Sequence, residues 1–310
     1  MNKTVSLNVL NYNTFDKTKV CIDSCLKQKG LAYQVILIDN CSTDDSFSRL
    51  KQLYGDKICY LLNDQNYGYA KGNNLGVIYS LKLGFKYSFI LNSDTELIGD
   101  SLLSELVGII SKEDNCAVLS PTIYDVTQNG LDLHSNDSFY LRLLRVGRVI
   151  PNNKKVGYNL NRISEAHGSA LMVENDIFLK VGGFPEHYFM YCEESTFCKK
   201  ILWNGNSILW LLDTKKYVLH HHDKTGNVAP WRLYLMGRNR GIEYWENYKS
   251  HNWTWTIIYR VFMLKSYFHS IVSGDRSYYE GMKDSKILFE SKLTNEKYLE
   301  HAINKVNQLK

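Results

Sequence analysis

The chain has 310 residues, of which 44% are hydrophobic and 13% aromatic, and this composition excludes a disordered or fibrous protein. It allows one large domain, or a catalytic domain with a helical extension. Lysine and arginine total 37 against 32 aspartates and glutamates, a net charge of +5 that suits an anionic ligand or an anionic membrane surface. Because no basic run resembles a nucleic-acid patch, we predict no nucleic-acid partner.

The cysteines and the N-terminal segment indicate a cytoplasmic protein. The seven cysteines are scattered, and none belongs to a C-x-x-C pair, which disfavours a disulfide framework and a zinc knuckle. Residues 1–13 alternate apolar and polar side chains as a strand does, without the long apolar core of a signal peptide. We therefore expect a reducing, cytoplasmic environment.

Five short apolar runs predict a mostly parallel sheet in the N-terminal part of the chain; they are Val5–Leu10, Val35–Ile38, Ile58–Leu62, Phe89–Leu91 and Ala117–Leu119. They are separated by roughly 20 to 30 residues with a helix-like pattern, the rhythm of βαβ units. Ligands bind at the carboxyl ends of such strands. Three of these ends carry polar clusters, which are Asn11-Tyr12-Asn13, Asp39-Asn40 and Asn92-Ser93-Asp94.

The rest of the chain is predicted to contain an irregular stretch, further strands and a helical end. Residues 124–164 show no clear period and are expected to form an insertion or an acceptor-side loop. Strands are expected at Ala170–Val173, Ile208–Leu212 and Tyr217–His220, with a helix at Glu193–Trp203. Beyond residue 230 the pattern is helical.

One apolar row in the helical end predicts an amphipathic helix face; its members are Trp253, Ile257, Val261, Leu264, Phe268 and Ile271. Arg260 and Lys265 exclude a membrane span. Two interpretations remain open. The face packs on its own domain or on a partner chain, as in a homodimer, or the helix lies on the surface of a bilayer.

Asp39 opens a polar turn that runs to Asp45. Ser42 or Thr43 can cap the next helix, which would explain the two hydroxyl groups. Capping does not explain Asp39, whose carboxylate at the end of a strand is placed to accept a hydrogen bond from a ligand, such as the imide N–H of a pyrimidine. The turn and the ligand role both remain open for this residue.

Three glycines recur every four residues in the segment Asn66–Gly76. This spacing differs from the dinucleotide fingerprint G-x-G-x-x-G and disfavours a hydride-transfer enzyme. It would open one face of a helix for close packing against backbone, while Lys71 could reach a phosphate. A plain helix start is the alternative.

Asp94 stands at the end of an apolar strand, where a carboxylate can hold Mg²⁺ or Mn²⁺ on a diphosphate. Such cations prefer oxygen ligands and often take few of them from the protein. The alternative is a capping box formed by Ser93 and Glu96 at the start of a helix.

Two further groups of side chains could take part in chemistry. Glu193 and Glu194 follow an aromatic loop and open a helix, where acids ordinarily reflect the helix dipole. The aromatic side chains of the preceding loop would shield one carboxylate from water and raise its proton affinity, as a general base requires. His220 and His222 share one face after a strand, so at most these two serve one site, as metal ligands or as structural residues.

In this order, the motifs resemble those of glycosyltransferase family 2, the inverting GT-A enzymes, and especially its bacterial branch with rhamnosyltransferases of capsule, O-antigen and cell-wall assembly. The likeness runs from residue 5 to about residue 247. The matching segments are Val5–Asn13, Asp39–Ser46, Asn66–Gly76, Leu91–Glu96, Gly168–Met172, Val181–Phe184, Phe189–Tyr191 and Glu193–Glu194.

The resemblance implies an α/β fold of the GT-A type and a role for each matching residue. Residues 1–229 would form the catalytic domain, with a nucleotide-sugar half at 1–122 and an acceptor half at 123–229, and residues 230–310 a helical region. Asp94 and His220 would hold Mn²⁺ or Mg²⁺, and Glu194 would be the catalytic base with Glu193 as its rival. The nucleotide sugar would contact Asn11, Asn13, Asp39, Asn66, Gly68, Lys71, Asn74, Asn92, Ser93 and Arg238.

The implied activity is transfer of rhamnose or a hexose from a dTDP- or UDP-sugar to a glycan or lipid-linked acceptor, on the inner face of the cell membrane. The chain departs from the family in having Asn92 at the first position of the metal motif, Glu194 where aspartate is usual, and Thr196 in place of an acid. The alternatives are a sugar-nucleotide-binding protein without catalysis and a sugar nucleotidyltransferase. The latter would carry a glycine-rich basic loop after the first strand, where this chain has Asn11–Thr14.

Overall fold

The computed structural model describes residues 4–134, 154–157, 159–221, 228–248, 254–291 and 295–309. The chain divides into two compact units. The first takes in the described residues up to 134, from 154 to 184 and from 197 to 221. The second takes in residues 185–196 and those from 228 onward.

A nine-stranded sheet forms the centre of the first unit; its strands are β1 (Val5–Asn11), β2 (Tyr33–Asp39), β3 (Cys59–Leu62), β4 (Tyr87–Asn92), β6 (Cys116–Ser120), β9 (Lys154–Gly157), β10 (Leu160–Ile163), β11 (Ala170–Glu174) and β12 (Ser207–Leu211). Their order in the sheet is β3-β2-β1-β4-β11-β6-β12-β10-β9. β1 pairs in parallel with β2 and β4, β2 with β3, and β12 with β6, whereas β11 runs against β4 and β6. The predicted strands are thereby confirmed.

A second, four-stranded sheet has the order β5-β13-β7-β8, with β5 (Thr95–Ile98), β7 (Ile123–Thr127), β8 (Gly130–Leu133) and β13 (Tyr217–His220). Two expectations are wrong here. The capping box of Ser93 and Glu96 does not form, because a strand and not a helix begins at Thr95. The stretch 124–164 is not simply irregular, because its described residues contribute to β7–β10.

Helices cover the sheet of the first unit; they are α1 (Phe15–Leu26), α2 (Ser46–Tyr54), α3 (Gly68–Lys82), α4 (Leu102–Ile110), α5 (Asn175–Lys180) and, in part, α6 (Glu193–Trp203). The predicted close packing of the glycine face of α3 is confirmed. A Cβ atom at Gly72 would lie 2.9 Å from Leu10 Cδ1, and one at Gly76 would collide with Ile38. The start of α3 is thus held against the carboxyl ends of β1 and β2.

The second unit is built from four helices, α7 (Pro230–Tyr248), α8 (Thr254–Ser273), α9 (Ser277–Glu290) and α10 (Asn295–Leu309), together with the first turn of α6 and a 3-10 turn at Glu186–Tyr188. α7 and α9 cross in backbone contact, because a Cβ at Gly237 would meet the carbonyl of Tyr278 and one at Gly281 that of Tyr234. The predicted helical C-terminal region is confirmed. The boundaries proposed within the catalytic domain stay a prediction.

The apolar row predicted in the helical end lies on α8 and is exposed. Ile257, Val261, Leu264, Phe268 and Ile271 all have at least half of their surface in solvent, whereas Trp253 lies outside the described residues. The interpretation that this face packs on its own unit is therefore wrong. A partner chain and a bilayer surface remain as the two possible contacts of the face. None of the described helices is both long and apolar enough to cross a membrane. All seven cysteines are free thiols, as predicted.

Candidate functional site

The carboxyl ends of β1 and β2 are joined by a hydrogen-bond network around Asp39. Asp39 is 3% exposed, and its Oδ1 accepts hydrogen bonds from Asn11 Nδ2 and Ser42 Oγ, both at 2.7 Å. Its Oδ2 accepts one from the backbone N–H of Ser42 at 2.9 Å. Because a carboxylate oxygen can accept two hydrogen bonds, Oδ2 keeps capacity for a donor on a ligand.

The prediction that Ser42 or Thr43 caps the next helix is wrong. Asp45 precedes α2 and makes no capping bond, whereas Asp44 Oδ1 accepts a hydrogen bond from the N–H of Ser46, the first residue of α2, at 3.0 Å. Ser42 bonds Asp39 instead, and Thr43 Oγ1 accepts a hydrogen bond from Asn13 Nδ2 at 3.0 Å. Asn13 is exposed, but its N–H donates to Ser42 Oγ at 3.1 Å and its Oδ1 accepts from the N–H of Thr43 at 2.8 Å, so both its backbone and its side chain are bound to this turn.

Asn40 joins the end of β2 to the start of α3. Its side chain donates to Asn66 Oδ1 at 3.1 Å and to the carbonyl of Gly68 at 2.9 Å, and it is 2% exposed. Gly68 in turn donates its N–H to Asn66 Oδ1 at 2.9 Å, with a φ of 72° that favours glycine. The sequence assigned no role to Asn40, although a polar residue ending a buried strand was a signal for one.

Lys71 and Asn74 on α3 differ in how far they are already engaged. The Lys71 ammonium lies 4.1 Å from the centre of the Tyr67 ring on a half-buried side chain. Asn74 is 5% exposed, donates to the carbonyl of Phe184 at 2.9 Å and accepts from its N–H at 3.0 Å. Asn74 thus ties α3 to the V-G-G-F segment, and its contact with a nucleotide stays a prediction.

The tripeptide Asn92-Ser93-Asp94 lies at the end of β4, next to β1 and β11. The N–H of Asn92 donates to the carbonyl of Ser169 at 2.9 Å, and Ser93 Oγ accepts from Thr14 Oγ1 at 3.2 Å. Thr14 also contacts Asn11 Oδ1, at 3.1 Å. The segments that carry Asp39 and Asp94 are therefore linked through the end of β1.

A chain of acidic and imidazole side chains starts at Asp94. Its Oδ1 lies 3.4 Å from His220 Nε2, and His220 Nδ1 lies 2.9 Å from Asp125 Oδ1. The other oxygen of Asp125 lies 2.9 Å from Nδ1 of His134, and the His134 ring contacts the His167 ring in a tilted arrangement with centroids 3.9 Å apart. The four-stranded sheet creates this order, since His220 on β13 lies opposite Thr95 on β5 and Asp125 on β7.

The surroundings of His220 and Asp94 favour the charged form of each side chain. Burial by itself would lower the pKa of His220, but hydrogen bonds and charges from Asp125 and Asp94 raise it to about 9. Burial likewise opposes ionisation of Asp94, yet His220 and then Lys17 hold the pKa of its carboxyl below the ordinary value. The contact between the two side chains thus favours a protonated His220 and an ionised Asp94.

The side chains of this cluster fit a divalent cation that takes most of its ligands from a substrate. Within the described ranges, no group of three or more histidine, cysteine, aspartate or glutamate side chains is arranged to hold a metal. Asp94 Oδ1 is nevertheless buried, and the side chain that faces it is His220, whose Nε2 lies 3.4 Å away. One oxygen and one nitrogen suit Mn²⁺ or Mg²⁺ whose other ligands are diphosphate oxygens and water.

Asp125, His134 and His167 were not assigned from the sequence. β7 and β8 are short, and β7 is mostly half-buried whereas β8 is exposed, so their apolar pattern is weak. His167 directly precedes the matching segment Gly168–Met172, and this was the one available signal. His222 lies outside the described residues.

Glu193 and Glu194 begin α6 and belong to the second unit. Glu193 is 5% exposed, and burial, followed by the charge of Glu194, raises the pKa of its carboxyl well above the ordinary value. Glu194 is half-buried. Glu193 is therefore the more deeply buried of the two residues, although one carboxylate oxygen of each, Oε2, is buried.

The loop before these two acids has an unusual backbone. Phe189, Tyr191 and Cys192 have φ angles of 67°, 75° and 67°, a region that costs a residue other than glycine on the order of 1–3 kcal/mol. Asn239 on α7 holds this loop, since its Nδ2 lies 2.7 to 2.9 Å from the carbonyl oxygens of Tyr188, Met190 and Tyr191.

Arg238 supports the same loop from the interior of the second unit. It is fully buried, and Nη2 donates to the carbonyls of His187 and Tyr298 at 3.2 and 2.8 Å. Its Nη1 donates to Asn239 Oδ1 at 2.6 Å and so orients that amide. Burial lowers the pKa of Arg238 to about 10. These bonds give Arg238 a structural role, and its predicted contact with the nucleotide sugar stays a prediction.

Replacement of Asn239 by alanine is expected to release this loop. Three carbonyl oxygens lose their shared donor, which should lower the free energy of unfolding by about 1–3 kcal/mol. Amide hydrogen exchange of residues 186–192 should accelerate selectively. Asn175→Ala is the matched control, because this buried amide bonds the carbonyl of Phe85 in the other unit. If amide hydrogen exchange of residues 186–192 were unchanged in Asn239→Ala, Asn239 would not hold this loop.

Comparisons with known proteins agree with the resemblance carried by the motifs. A family model described as Glycosyl transferase family 2 matches residues 6–178, more than half of the chain. The low-salt glycan biosynthesis hexosyltransferase Agl10 of Haloferax volcanii is 28% identical over 242 residues, which cover 76% of this chain and 74% of Agl10. The rhamnosyltransferase WbbL of Escherichia coli is 25% identical over 169 residues, which cover 51% of this chain and 62% of WbbL.

Solved structures similar to this chain have the GT-A fold. GalNAc-T7, crystallised with UDP, GalNAc and Mn²⁺, aligns with a TM-score of 0.57 and 17% identity over 76% of this chain. This alignment spans 47% of GalNAc-T7, about half of its length. S. aureus TarS 1-349 in complex with UDP-GlcNAc aligns with a TM-score of 0.53 and 17% identity, over 78% of this chain and 66% of the TarS 1-349 chain. At these identities the likeness establishes the fold alone.

Proposed function

The chain belongs to glycosyl transferase family 2, and on this basis we propose that it is a metal-dependent, inverting enzyme that moves rhamnose or a hexose from a nucleotide diphosphate sugar to a hydroxyl group. The observation that carries this proposal is the linkage, within one unit, of the polar network around Asp39 to Asp94, whose buried Oδ1 faces His220 Nε2. The first suits a nucleoside and the second a cation on its diphosphate.

The donor would bind along the carboxyl ends of β1, β2 and β4. Asp39 Oδ2 would accept a hydrogen bond from the imide N–H of a pyrimidine base, because it has capacity for one more donor. Asn11 and Asn13 would position this turn, and the half-buried Lys71 would contribute a positive charge near the diphosphate. The remaining donor contacts proposed from the family motifs are Asn66, Gly68, Asn74, Asn92, Ser93 and Arg238.

Asp94 and His220 would hold Mn²⁺ or Mg²⁺, which supplies Lewis-acid stabilisation of the leaving nucleoside diphosphate. Asp125 would keep His220 in the tautomer that presents Nε2, since it accepts the hydrogen bond at Nδ1. Asn92 offers no carboxylate, and His220 therefore completes the protein's share of the ligands. The Mn²⁺ in the GalNAc-T7 crystal is consistent with this proposal.

Glu194 would remove the proton from the acceptor hydroxyl as its oxygen attacks the anomeric carbon and the bond to the diphosphate breaks. A single displacement of this kind inverts the configuration at that carbon. Glu194 is preferred to Glu193 because a general base must touch the acceptor, and Glu193 is 5% exposed. The positive-φ loop held by Asn239 leads directly into this helix turn.

The relatives guide the choice of substrates. Agl10 is a hexosyltransferase and WbbL a rhamnosyltransferase, so we propose a UDP-hexose or dTDP-rhamnose as donor. The acceptor would be a glycan or a lipid-linked oligosaccharide in the synthesis of a bacterial surface polysaccharide such as capsule or O-antigen. The reaction would take place in the cytoplasm, at the inner face of the cell membrane.

Thermal unfolding with a panel of nucleotide sugars and Mn²⁺ tests this proposal. A donor at about 100 times its Kd should add about 2.7 kcal/mol to the stability of the folded state. We expect dTDP-rhamnose or one UDP-hexose to raise the Tm, and the shift to shrink when Mn²⁺ is chelated. No shift by any donor would refute the proposal. Binding without release of nucleoside diphosphate in the presence of acceptor would indicate a non-catalytic sugar-nucleotide-binding protein.

A further inference from the structure

A continuous apolar stripe runs along the exposed side of α8, and we propose that it binds the surface of a bilayer containing anionic phospholipid. The stripe consists of Ile257, Val261, Leu264, Phe268, Ile271 and Val272, whose exposed fractions run from 50% to 88%. This proposal concerns a surface of the second unit. It stands whether or not the chain transfers sugars.

α8 packs on its own unit through the opposite side. Tyr259 is 8% and Ser270 3% exposed, and Tyr259 stacks on Tyr244 of α7 with ring centroids 4.7 Å apart. Phe262 and Met263 pack against the same cluster. The stripe is therefore not needed to hold α8 in place, and a separate explanation is required for six exposed apolar side chains on one helix face.

The charged residues of α8 lie along the two edges of the stripe. At about 100° per residue, the six stripe residues fall within about 50° of one line along the helix. On the same scale, Arg260 and Lys265 lie at about 70° on opposite sides of that line. Both side chains are exposed. Interfacial helices have this arrangement, in which apolar side chains enter the headgroup layer while Lys and Arg reach lipid phosphates.

Charge also decides between a bilayer and a second copy of the chain. Thr254–Ser273 contains no aspartate or glutamate. Two copies joined through this stripe would bring Arg260 and Lys265 toward their own counterparts, with no carboxylate on either helix to offset them. Phospholipid phosphates would present negative charge to both side chains, and the net charge of +5 acts in the same direction.

Co-sedimentation of the full chain with vesicles tests this proposal. We expect binding to vesicles of phosphatidylcholine mixed with phosphatidylglycerol, and weaker binding to phosphatidylcholine alone. Arg260→Gln and Lys265→Gln should each reduce partitioning about five-fold on the anionic vesicles. The double variant Val261→Ser/Phe268→Ser should reduce it by at least about 20-fold.

A matched control is available on α2, where Lys51 is exposed and Leu53 is 45% exposed. Lys51→Gln/Leu53→Ser makes the same chemical changes away from α8 and should leave partitioning unchanged. Far-UV circular dichroism and thermal unfolding of each variant show whether it is folded. Because no donor or acceptor is present, failure of vesicle binding would leave the proposed glycosyl transfer unaffected.

Three results would overturn the proposal. The unmodified chain could fail to bind anionic vesicles, or Val261→Ser/Phe268→Ser could sediment with them as fully as the unmodified chain. The third result would come from sedimentation velocity without lipid, which measures the oligomeric state. A dimer that dissociates in Val261→Ser/Phe268→Ser would assign the stripe to a second copy of the chain.

Discussion

Glu194→Gln is expected to lower turnover by about 10²- to 10⁴-fold, the usual contribution of a general base, while leaving donor affinity unchanged. Glutamine keeps the size of the side chain and cannot take a proton. Steady-state release of nucleoside diphosphate measures turnover, and calorimetric titration with the donor measures binding. A variant with reduced turnover and normal donor binding would have lost an interaction that is made in the transition state and not in the donor complex.

Glu193→Gln is the matched control, one residue away in the same helix turn. Because Glu193 is 5% exposed, we expect this variant to retain most of its turnover. Full activity of Glu194→Gln together with an inactive Glu193→Gln would move the catalytic role to Glu193. Equal losses in both variants would indicate damage to the helix turn.

The stability of the same two proteins provides a further check with a defined sign. The pKa of Glu193 is raised in the folded state, so the folded chain binds this proton more tightly than the unfolded chain. The resulting stability is present below the ordinary value of 4.5 and is lost as the pH rises through the folded pKa. Glu193→Gln cannot lose stability in this way because glutamine does not ionise. The difference between its unfolding free energy and that of the unmodified chain should therefore increase as the pH rises.

The parallel half of the sheet was predictable because its strands are buried on both faces and read as apolar runs. β1, β2 and β4 have almost no exposed residues, and each ends in a polar cluster that the sequence displays directly. The glycine face of α3 was predictable for a similar reason. Only a residue without a Cβ fits against Leu10 and Ile38, and the four-residue spacing makes that requirement visible in the sequence.

The surroundings of His220 were not predictable, because they depend on contacts between distant short strands. Asp125 lies 95 positions before His220 along the chain, and β7, which carries it, has mostly half-buried residues without alternation. The bonds of Asn239 show a second limit. They end on backbone carbonyls of the aromatic loop, and backbone acceptors leave no trace in the identity of the residues that carry them.

Asp94→Asn is expected to abolish the part of donor or UDP binding that depends on Mn²⁺. Asparagine has nearly the shape of aspartate, but it removes the negative charge and the buried carboxylate oxygen that faces His220 at 3.4 Å. We expect the affinity for Mn²⁺ in the presence of UDP to fall by at least about 100-fold, since even the loss of a residue that orients a ligand costs about 10- to 100-fold. Electron paramagnetic resonance of free Mn²⁺ measures this affinity without any turnover.

Asp125→Asn and Glu96→Gln separate the cation site from the neighbouring charges. Asp125 orients His220 through a 2.9 Å hydrogen bond, so Asp125→Asn should weaken Mn²⁺ binding by about 10- to 100-fold. Glu96 lies 3.2 Å from His221 on the same sheet, and Glu96→Gln should leave Mn²⁺ binding unchanged. Normal Mn²⁺ affinity in Asp94→Asn would refute the assignment of the metal. An equal loss in all three variants would mean that general negative charge, and not the pair of Asp94 and His220, attracts the cation.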